Sequence, residues 1–499
     1  MIIELRATDR LLGPKAVDAG PVLAAVLRAV RDGPVDPARL RVVCDWVQYR
    51  QSFRAPIDLR PIAPPPFEAA RAGRDGVVPR GDAYELAIDL RRSGAADLPT
   101  ELAGALAGAT GREPPCRRYY LEPWGVGTAS CIWAFNALFW KELSLWEQAT
   151  GRGYEQALPG GESDARNVAA ADELVMKLFA LWDDLAARRA LPDELHVLEL
   201  GVGNGSQARV FLDEFRRIDG ELDRGYYRRL HYLMGDYSPR VLELARANVA
   251  HHGPRLSCLT LDATRPTDTL GFLRYKAFLV YISNVYDNLP TDELVHLGGH
   301  FFRAEVRAYL PGSAAERLSA EVGVAPAELP ALVGRLLRLG PELLAESLPE
   351  RFATPPAAAG FWHAVWEALR LEERYAPVEE LDTYEVAPGV GGEILRPIVE
   401  AAGDVRVHVS NGAVASFADT LPLLHPMGVL LCHDLFVTDV HQYATGFRGP
   451  GKYDGSVVNW VNGPLLAAVG SRHGYDVRFE PFAHRPGSNV TTLTTSVRE

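Results

Sequence analysis

Short hydrophobic runs alternate with amphipathic helical patterns from residue 195 onward, which is typical of a parallel sheet flanked by helices. The alternation stops near Tyr309, and a Leu-rich helical pattern follows before strand signals resume at 405–409. We therefore expect residues 195–310 and 401–499 to form one sheet that a helical segment interrupts. The predicted strands are 196–200, 231–234, 256–261, 276–282, 405–409 and 429–433, and the helices between them include 206–218 and 238–250.

The first third of the chain mixes strand-like and helical patterns. Strand-like runs cover 40–46 and 83–90, and apolar residues recur three and four apart in 130–146 and 172–187. Proline at 61–66 and glycine with proline at 150–163 predict loops or linkers. The predicted organisation is a mixed α+β N-terminal region at 1–160, an α/β domain formed by 161–310 and 401–499, and a helical insertion or lid at 311–400.

The net charge, the N-terminal sequence and the cysteines indicate which partners and which cellular compartment to expect. The 499 residues include 52 Lys and Arg against 64 Asp and Glu, a net charge of −12, which argues against partners that are nucleic acids or anionic membranes. Glu4 and Arg6 interrupt the apolar stretch that a signal peptide needs, and no run of 18 uncharged apolar residues occurs. The five cysteines are scattered without metal-ligand spacing. We expect a cytoplasmic protein in a reducing compartment, with no metal site.

A glycine-rich turn follows the first predicted strand of the α/β region. Gly201, Gly203 and Gly205 come directly after a strand that carries Glu199 near its end, and a helix begins at Ser206. Such glycines permit positive φ and let a ligand lie against bare backbone at a helix N-terminus. A dinucleotide-binding turn would place its third glycine at 206, one residue later. A carboxylate here would repel a pyrophosphate but could receive the ammonium group of an amino-acid ligand.

Acidic residues also follow the next two strands. Asp236 could accept both hydroxyls of a ribose, and Asp262 could accept an adenine amino group while Ala263 leaves room for the ring. Each residue has a structural alternative, because Asp236 could cap a helix and Asp262 could be a surface loop residue. Ligands of open α/β sheets bind at the carboxyl ends of the strands, so the three strand ends together predict one binding site.

These motifs resemble, in order and spacing, those of the class I S-adenosylmethionine-dependent methyltransferases. The resemblance implies a Rossmann-like sheet with S-adenosyl-L-methionine as the cofactor. In more detail, the glycines would flank its methionine and ribose portion, Glu199 would support its amino end, Asp236 would bind its ribose, and Asp262 with Ala263 would contact its adenine.

A narrower resemblance is to the MidA-like family, which includes an arginine methyltransferase that assembles mitochondrial complex I. It rests on stretches such as YISNVYDNLP at 281–290 and MGVLLCHD at 427–434. Asn284, which we also assign to the cofactor site, stands where that family has a glutamate, and Leu435 follows Asp434 where the family has tyrosine. Methylating arginine needs carboxylates to orient the guanidinium and help remove a proton, so arginine is a doubtful acceptor here.

Methyl transfer from a sulfonium is an in-line displacement that mainly needs alignment and exclusion of water. The candidate catalytic residues are Tyr286 and Asp287 after the predicted strand 276–282 and His433 at the end of the predicted strand 429–433. The alternatives are a helix cap for Asp287 and a hydrogen-bonded structural role for His433. Three aromatic residues of the insertion either line an acceptor pocket or pack in a core, with core packing preferred: Phe361, Trp362 and Trp366.

The sequence therefore predicts a methyltransferase that acts on an oxygen or nitrogen of a small molecule or a protein side chain. The alternatives are a cofactor-binding scaffold or assembly factor without turnover, or an NAD-binding oxidoreductase.

Overall fold

The computed structural model describes residues 2–6, 18–33, 35–47, 51–63, 83–92, 98–107, 117–151, 164–444 and 449–498. The predicted glycine- and proline-rich break at 150–163 lies almost wholly outside these residues, as does 64–66 of the proline-rich stretch. None of the helices in the described parts is long and apolar enough to cross a membrane.

A seven-stranded sheet forms the centre of the α/β region. Five of its strands are parallel, and Thr491–Val497 runs antiparallel to both of its neighbours. This arrangement confirms the predicted class I methyltransferase (Rossmann-like) fold. Across the sheet the strands are Leu256–Thr260, Leu230–Asp236, Leu195–Leu200, Ala277–Ser283, Leu424–Asp434, Thr491–Val497 and Tyr475–Pro481.

Helices cover both faces of this sheet. Asp164–Ala187 and Ser206–Leu222 pack on one face, and Asn411–Thr420 and Gly463–Arg472 pack on the other. Every residue of Leu195–Leu200 is buried, as expected for a central parallel strand between two helical layers. The strand order reverses beside this strand, between Leu230–Asp236 on one side and Ala277–Ser283 on the other, and such a reversal opens a crevice at the carboxyl ends.

A second, ten-stranded sheet contains strands from the N-terminal region and strands that follow Ala277–Ser283 in the chain. Its N-terminal strands are Ile2–Arg6, Leu40–Asp45, Ala83–Asp89 and Ile57–Ile62, accompanied by the helices Gly20–Asp32 and Leu98–Ala107. The sheet continues through Arg370–Pro377, His300–Pro311, Glu293–Leu297 and Val405–His408, with Arg118–Tyr120 and Gly125–Val126 also paired to His300–Pro311.

The expectation of a single sheet is therefore right for five strands and wrong for 293–310 and 405–409. The strands 196–200 and 429–433 share the seven-stranded sheet as predicted, but the other two segments pair in the ten-stranded sheet. The physical reason is that an apolar strand pattern predicts a buried strand but does not determine which other strands it pairs with.

The segment 311–400 is helical at first. Its helices are Gly312–Val322, Leu329–Ser347 and Pro355–Ala368, and the strand Arg370–Pro377 then returns to the ten-stranded sheet. They pack against the helices Ile132–Lys141 and Leu143–Thr150 around a shared aromatic core. Phe361, Trp362 and Trp366 all belong to that core, which confirms the preferred alternative of core packing.

Candidate cofactor site at the strand ends

The glycine turn has the backbone that its sequence predicts. Gly201, Gly203 and Gly205 have φ values of +72°, +56° and +79°, a region that side chains with a Cβ rarely adopt. A Cβ on Gly201 would lie 2.3 Å from Cγ2 of Val285, and one on Gly205 would lie 2.7 Å from the Cα of Ala245. A Cβ on Gly203 would meet no atom within 4 Å. The outer glycines therefore allow close packing, and the middle one leaves open space against bare backbone.

Asp236 ties this turn to the end of the neighbouring strand. The Gly203 amide donates to Asp236 Oδ2 at 3.3 Å, and the Ser238 amide donates to Oδ1 at 3.0 Å. Burial raises the pKa of Asp236, and these amide hydrogen bonds act in the opposite direction. The cap of the following helix is the Ser238 hydroxyl, which accepts from the Val241 amide. Asp236 is thus a half-buried acceptor beside the open glycine.

Asp262 and Ala263 follow the next strand along the same edge. The Leu261 amide donates to the backbone oxygen of Asp236 at 3.0 Å, which brings the two strand ends together. Asp262 is exposed, and its Oδ1 accepts from the Thr264 amide at 2.8 Å and from the Thr264 hydroxyl at 2.7 Å. Ala263 is half-buried. Both residues therefore border the crevice at which Asp236 lies.

Glu199 lies inside the strand Leu195–Leu200, one residue before its carboxyl end. Its carboxyl is buried and accepts a hydrogen bond of 2.6 Å from the Tyr232 hydroxyl. Burial raises the pKa of Glu199 to about 8, with the Asp236 charge adding to the rise and the Tyr232 hydrogen bond opposing it. The proton is therefore held on Glu199 at neutral pH, and an approaching cation would favour its release.

We expect this proton to make stability fall as the pH rises. Between the ordinary glutamate pKa of 4.5 and about 8, the folded protein holds a proton on Glu199 that the unfolded chain has released. The contribution is complete below 4.5 and declines by up to about 1.4 kcal/mol per pH unit up to the folded pKa. Glu199→Gln should remove this decline in urea unfolding between pH 5 and 8.5, whereas the exposed control Glu243→Gln should retain it. Parallel pH profiles for wild type and Glu199→Gln would contradict the expectation.

The loop after the strand Ala277–Ser283 is held by Asp434, the last residue of the strand Leu424–Asp434. Oδ2 of Asp434 accepts from the amides of Val285, Tyr286 and Asp287 at 3.1, 2.7 and 3.4 Å. Its Oδ1 accepts from the Leu435 amide at 2.7 Å. Burial raises the pKa of Asp434, and these amide hydrogen bonds act in the opposite direction. With four amide donors, the Asp434 carboxyl anchors this loop as a hydrogen-bond acceptor. The sequence signal for this role was the aspartate at the end of a buried strand, beside the candidate His433.

Of the residues predicted in this loop, Asn284 is exposed and the other two are buried. Asn284 has φ +55°, and its amide donates to the His433 backbone oxygen at 2.9 Å. The Tyr286 ring lies in the hydrophobic core. The Asp287 carboxyl accepts from Asn288 Nδ2 at 2.6 Å. Burial and the nearby Asp434 charge raise the pKa of Asp287 well above its usual range. The geometry favours positioning roles for Tyr286 and Asp287.

His433 is packed between rings. Its Nδ1 lies 2.9 Å from the Thr492 hydroxyl, and its ring centroid lies 4.6 Å from that of Phe482 and 5.4 Å from that of Tyr281. Burial, with a smaller effect of His484, lowers the pKa of His433 to about 4. A neutral, hydrogen-bonded imidazole of this kind fits the structural alternative. Its catalytic role stays a prediction.

The N-terminal helix Ile132–Lys141 borders the crevice, which the sequence analysis missed. The Tyr237 hydroxyl donates to the Ala137 backbone oxygen, and Asn136 Nδ2 donates to the Asn288 backbone oxygen at 2.8 Å. Trp140 Nε1 donates to Asn288 Oδ1 at 3.3 Å. Asn136 and Trp140 are spaced four apart on an otherwise apolar helix, and this polar spacing was the available signal.

Comparisons with known proteins give structural likeness only. No known family and no curated protein sequence matches the chain. A protein from Burkholderia thailandensis solved with bound S-adenosyl-homocysteine is similar, with 13% identity over 75% of this chain and 88% of that one and a TM-score of 0.40. The 1,6-didemethyltoxoflavin-N1-methyltransferase from the same organism has 9% identity over 77% of this chain and 100% of that one, with a TM-score of 0.31.

Proposed function

We propose that this chain binds S-adenosyl-L-methionine and transfers its methyl group to an oxygen or nitrogen of a small molecule or a protein side chain. The observation that carries the proposal is the convergence of the open Gly203 backbone and the Asp236 carboxyl at the point where the strand order reverses. S-adenosyl-L-methionine supplies a methyl group on a sulfonium, which is already a good leaving group.

The residues at the crevice fit this cofactor. The exposed side of the Gly203 backbone can approach a ligand closely, and the Asp236 oxygens can accept ribose hydroxyls beside it. We assign Asp262 and Ala263 to the adenine and the exposed Asn284 to another part of the cofactor. The ammonium end would approach the buried Glu199. The early third glycine and this buried acid disfavour the NAD alternative.

The work of the chain in this reaction is alignment and exclusion of water. Asp434 accepts hydrogen bonds from backbone amides of the loop that begins at Asn284 and so fixes this loop. The exposed side chain of Asn284 can then orient an acceptor. The helix Ile132–Lys141, held through Asn136 and Tyr237, shields one side of the crevice. Since Tyr286 and Asp287 are buried, an acceptor that loses its proton easily fits the site best.

Binding of S-adenosyl-homocysteine by calorimetry tests the cofactor assignment. Asp236→Ala removes a charged acceptor and should weaken binding by about 1.5–3 kcal/mol, which is more than about tenfold. Gly203→Arg should abolish binding, because its side chain would fill the open space. The exposed aspartate of the same region in Asp268→Ala is the matched control and should bind as wild type. Tight binding of NAD with no heat from S-adenosyl-homocysteine would refute the proposal.

A second candidate, a cofactor-binding scaffold or assembly factor without turnover, is favoured by one observation. Two of the three predicted catalytic side chains, Tyr286 and Asp287, are buried. Incubating the protein with methyl-labelled cofactor and cell extract separates the candidates. Label in a small-molecule or protein product that Asp236→Ala fails to form supports the enzyme. Cofactor binding without any labelled product supports the scaffold.

A further inference from the structure

Two histidines and an aspartate meet on the outer side of the α/β region, away from the glycine turn. Asp213 lies on the helix Ser206–Leu222, and His251 and His252 lie in the short helical segment Ala250–Arg255. The Nε2 atoms of His251 and His252 lie 3.0 and 3.3 Å from Asp213 Oδ1. One ligand atom from each residue falls within 4.8 Å of those of the other two.

These separations match a metal-ligand set. Zinc bonds of about 2.0–2.1 Å to nitrogen and oxygen place neighbouring ligands of a tetrahedron about 3.3–3.4 Å apart. The distances from Asp213 Oδ1 to the Nε2 atoms of His251 and His252 lie close to that value, and without a metal the shorter one is a hydrogen bond. The third distance joins the Nε2 atoms of His251 and His252. Because the His251 side chain is 46% exposed, its ring can rotate and shorten this distance without disturbing the core.

The buried histidine supplies a second observation. The side chain of His252 is 1% exposed, and its Nε2 makes no hydrogen bond within the described part of the chain although it faces Asp213. A buried polar atom without a hydrogen bond is costly unless another partner binds it. Its Nδ1 lies 2.7 Å from the Tyr227 hydroxyl. When Nδ1 carries the proton and donates to that hydroxyl, Nε2 presents its lone pair to Asp213, as in metal sites whose outer partner orients the ring.

We propose that Asp213, His251 and His252 bind a divalent transition metal, with Zn²⁺ as the best match. Imidazole nitrogens suit zinc, copper and nickel rather than calcium or magnesium, which prefer oxygen. The partial exposure of Asp213 and His251 gives an entry path and room for water as the remaining ligand. Arg216 and Arg209 approach Asp213 at 3.7 and 4.0 Å, and both side chains are exposed enough to move into solvent when the metal binds.

Such a metal would link two segments that lie beside the glycine turn. The helix that carries Asp213 begins at the turn, and the segment that carries the histidines follows the helix Pro239–Asn248. The two helices also meet where Gly205 approaches Ala245 and where Asn248 Nδ2 donates to the Asn204 backbone oxygen at 2.7 Å. The metal has a structural role here, and the inference stands independently of the proposed function.

Titration of the full chain, first freed of metal with a chelator, tests this site. Zn²⁺ followed by calorimetry should bind at one site, and Co²⁺ should give a visible absorption band of nitrogen–oxygen coordination. Asp213→Ala and His251→Ala should each abolish the Co²⁺ band. Tyr227→Phe, which removes the partner of His252, should weaken Zn²⁺ binding about 10-fold.

The matched control is His231→Ala. His231 is a half-exposed histidine on the strand Leu230–Asp236, and its Nε2 lies 3.9 Å from Glu194. This variant should bind both metals as wild type does. Zn²⁺ should also raise the melting temperature of wild type but not of His251→Ala, whose exposed ring can be removed without a cavity. Absence of a Co²⁺ band in wild type, or equal Zn²⁺ affinity in wild type and His251→Ala, would overturn the proposal.

Discussion

Arg406→Met is expected to lower the free energy of unfolding by about 3–5 kcal/mol. Arg406 is 1% exposed and lies between two buried carboxylates of the ten-stranded sheet. Its Nε donates to Glu293 Oε1 at 2.9 Å, and its Nη1 donates to Glu373 Oε2 at 2.8 Å. Methionine retains much of the side-chain volume but removes the positive charge that Arg406 places beside both carboxylates. Removing one partner of a buried ion pair is strongly destabilising.

The pH dependence separates lost charge from lost packing. Although burial alone would raise it, Arg406 and Arg54 lower the pKa of Glu293 to about 2. This interaction stabilises the fold above the ordinary pKa of 4.5 and is lost as the pH falls toward 2. The deficit of Arg406→Met in urea unfolding should therefore be largest at pH 7 and shrink below pH 4.5.

The matched control is Arg303→Met in the same sheet. The Arg303 side chain is 45% exposed and pairs with Glu305 at 2.8 Å, an interaction worth about 1 kcal/mol or less at a surface. Equal deficits for the two arginine variants, or a deficit of Arg406→Met that does not change with pH, would contradict the electrostatic explanation.

Features set by neighbours in the chain were predictable. The strand Leu195–Leu200, the glycine turn and the helix from Ser206 follow from residues within about ten positions of one another, and local patterns of this kind carry their own structural signal. Because the strand ends of a parallel sheet converge, the sequence predicts that Asp236 and Asp262 lie at one edge. The structure brings both to that edge.

Features that need distant partners were not predictable. Glu293 and Glu373 look like solvent-facing residues of half-buried strands, yet both are buried because Arg54 and Arg406 pair with them. Arg54 and Glu373 are separated by 319 positions in the chain. Since a strand pattern does not specify its partner strand, the second sheet and its ionic centre could not be read from local sequence.

The candidate catalytic residues show the same limit. The end of a strand predicts that Asp287 and His433 lie near the crevice, but not which way each side chain points. Asp287 points inward beside Asp434, and His433 packs against Phe482. The orientation depends on amides and rings from other segments, which spacing along the chain does not report.

Trp362 distinguishes the two roles that the sequence allows for the aromatic residues of the insertion. Its side chain is 0% exposed, and its ring centroid lies 4.6 Å from that of Trp146 in an edge-to-face arrangement. Its indole nitrogen makes no hydrogen bond within the described residues, so the ring acts by packing alone. If the insertion were a lid with an aromatic acceptor wall, this ring would face a ligand instead.

Trp362→Ala is therefore expected to destabilise the protein by about 3–5 kcal/mol, because it leaves a cavity in a well-packed core. Trp362→Phe should recover part of this loss, since it fills more of the space. The exposed aromatic residue in Phe272→Ala is the control and should change stability by less than about 0.5 kcal/mol. Urea unfolding measures all three, and calorimetry with S-adenosyl-homocysteine below the transition should give wild-type affinity for the folded fraction of each. A Trp362→Ala protein with unchanged stability and a raised KM for the methyl acceptor would instead place this ring in the acceptor site, because a core residue cannot be removed without a loss of stability.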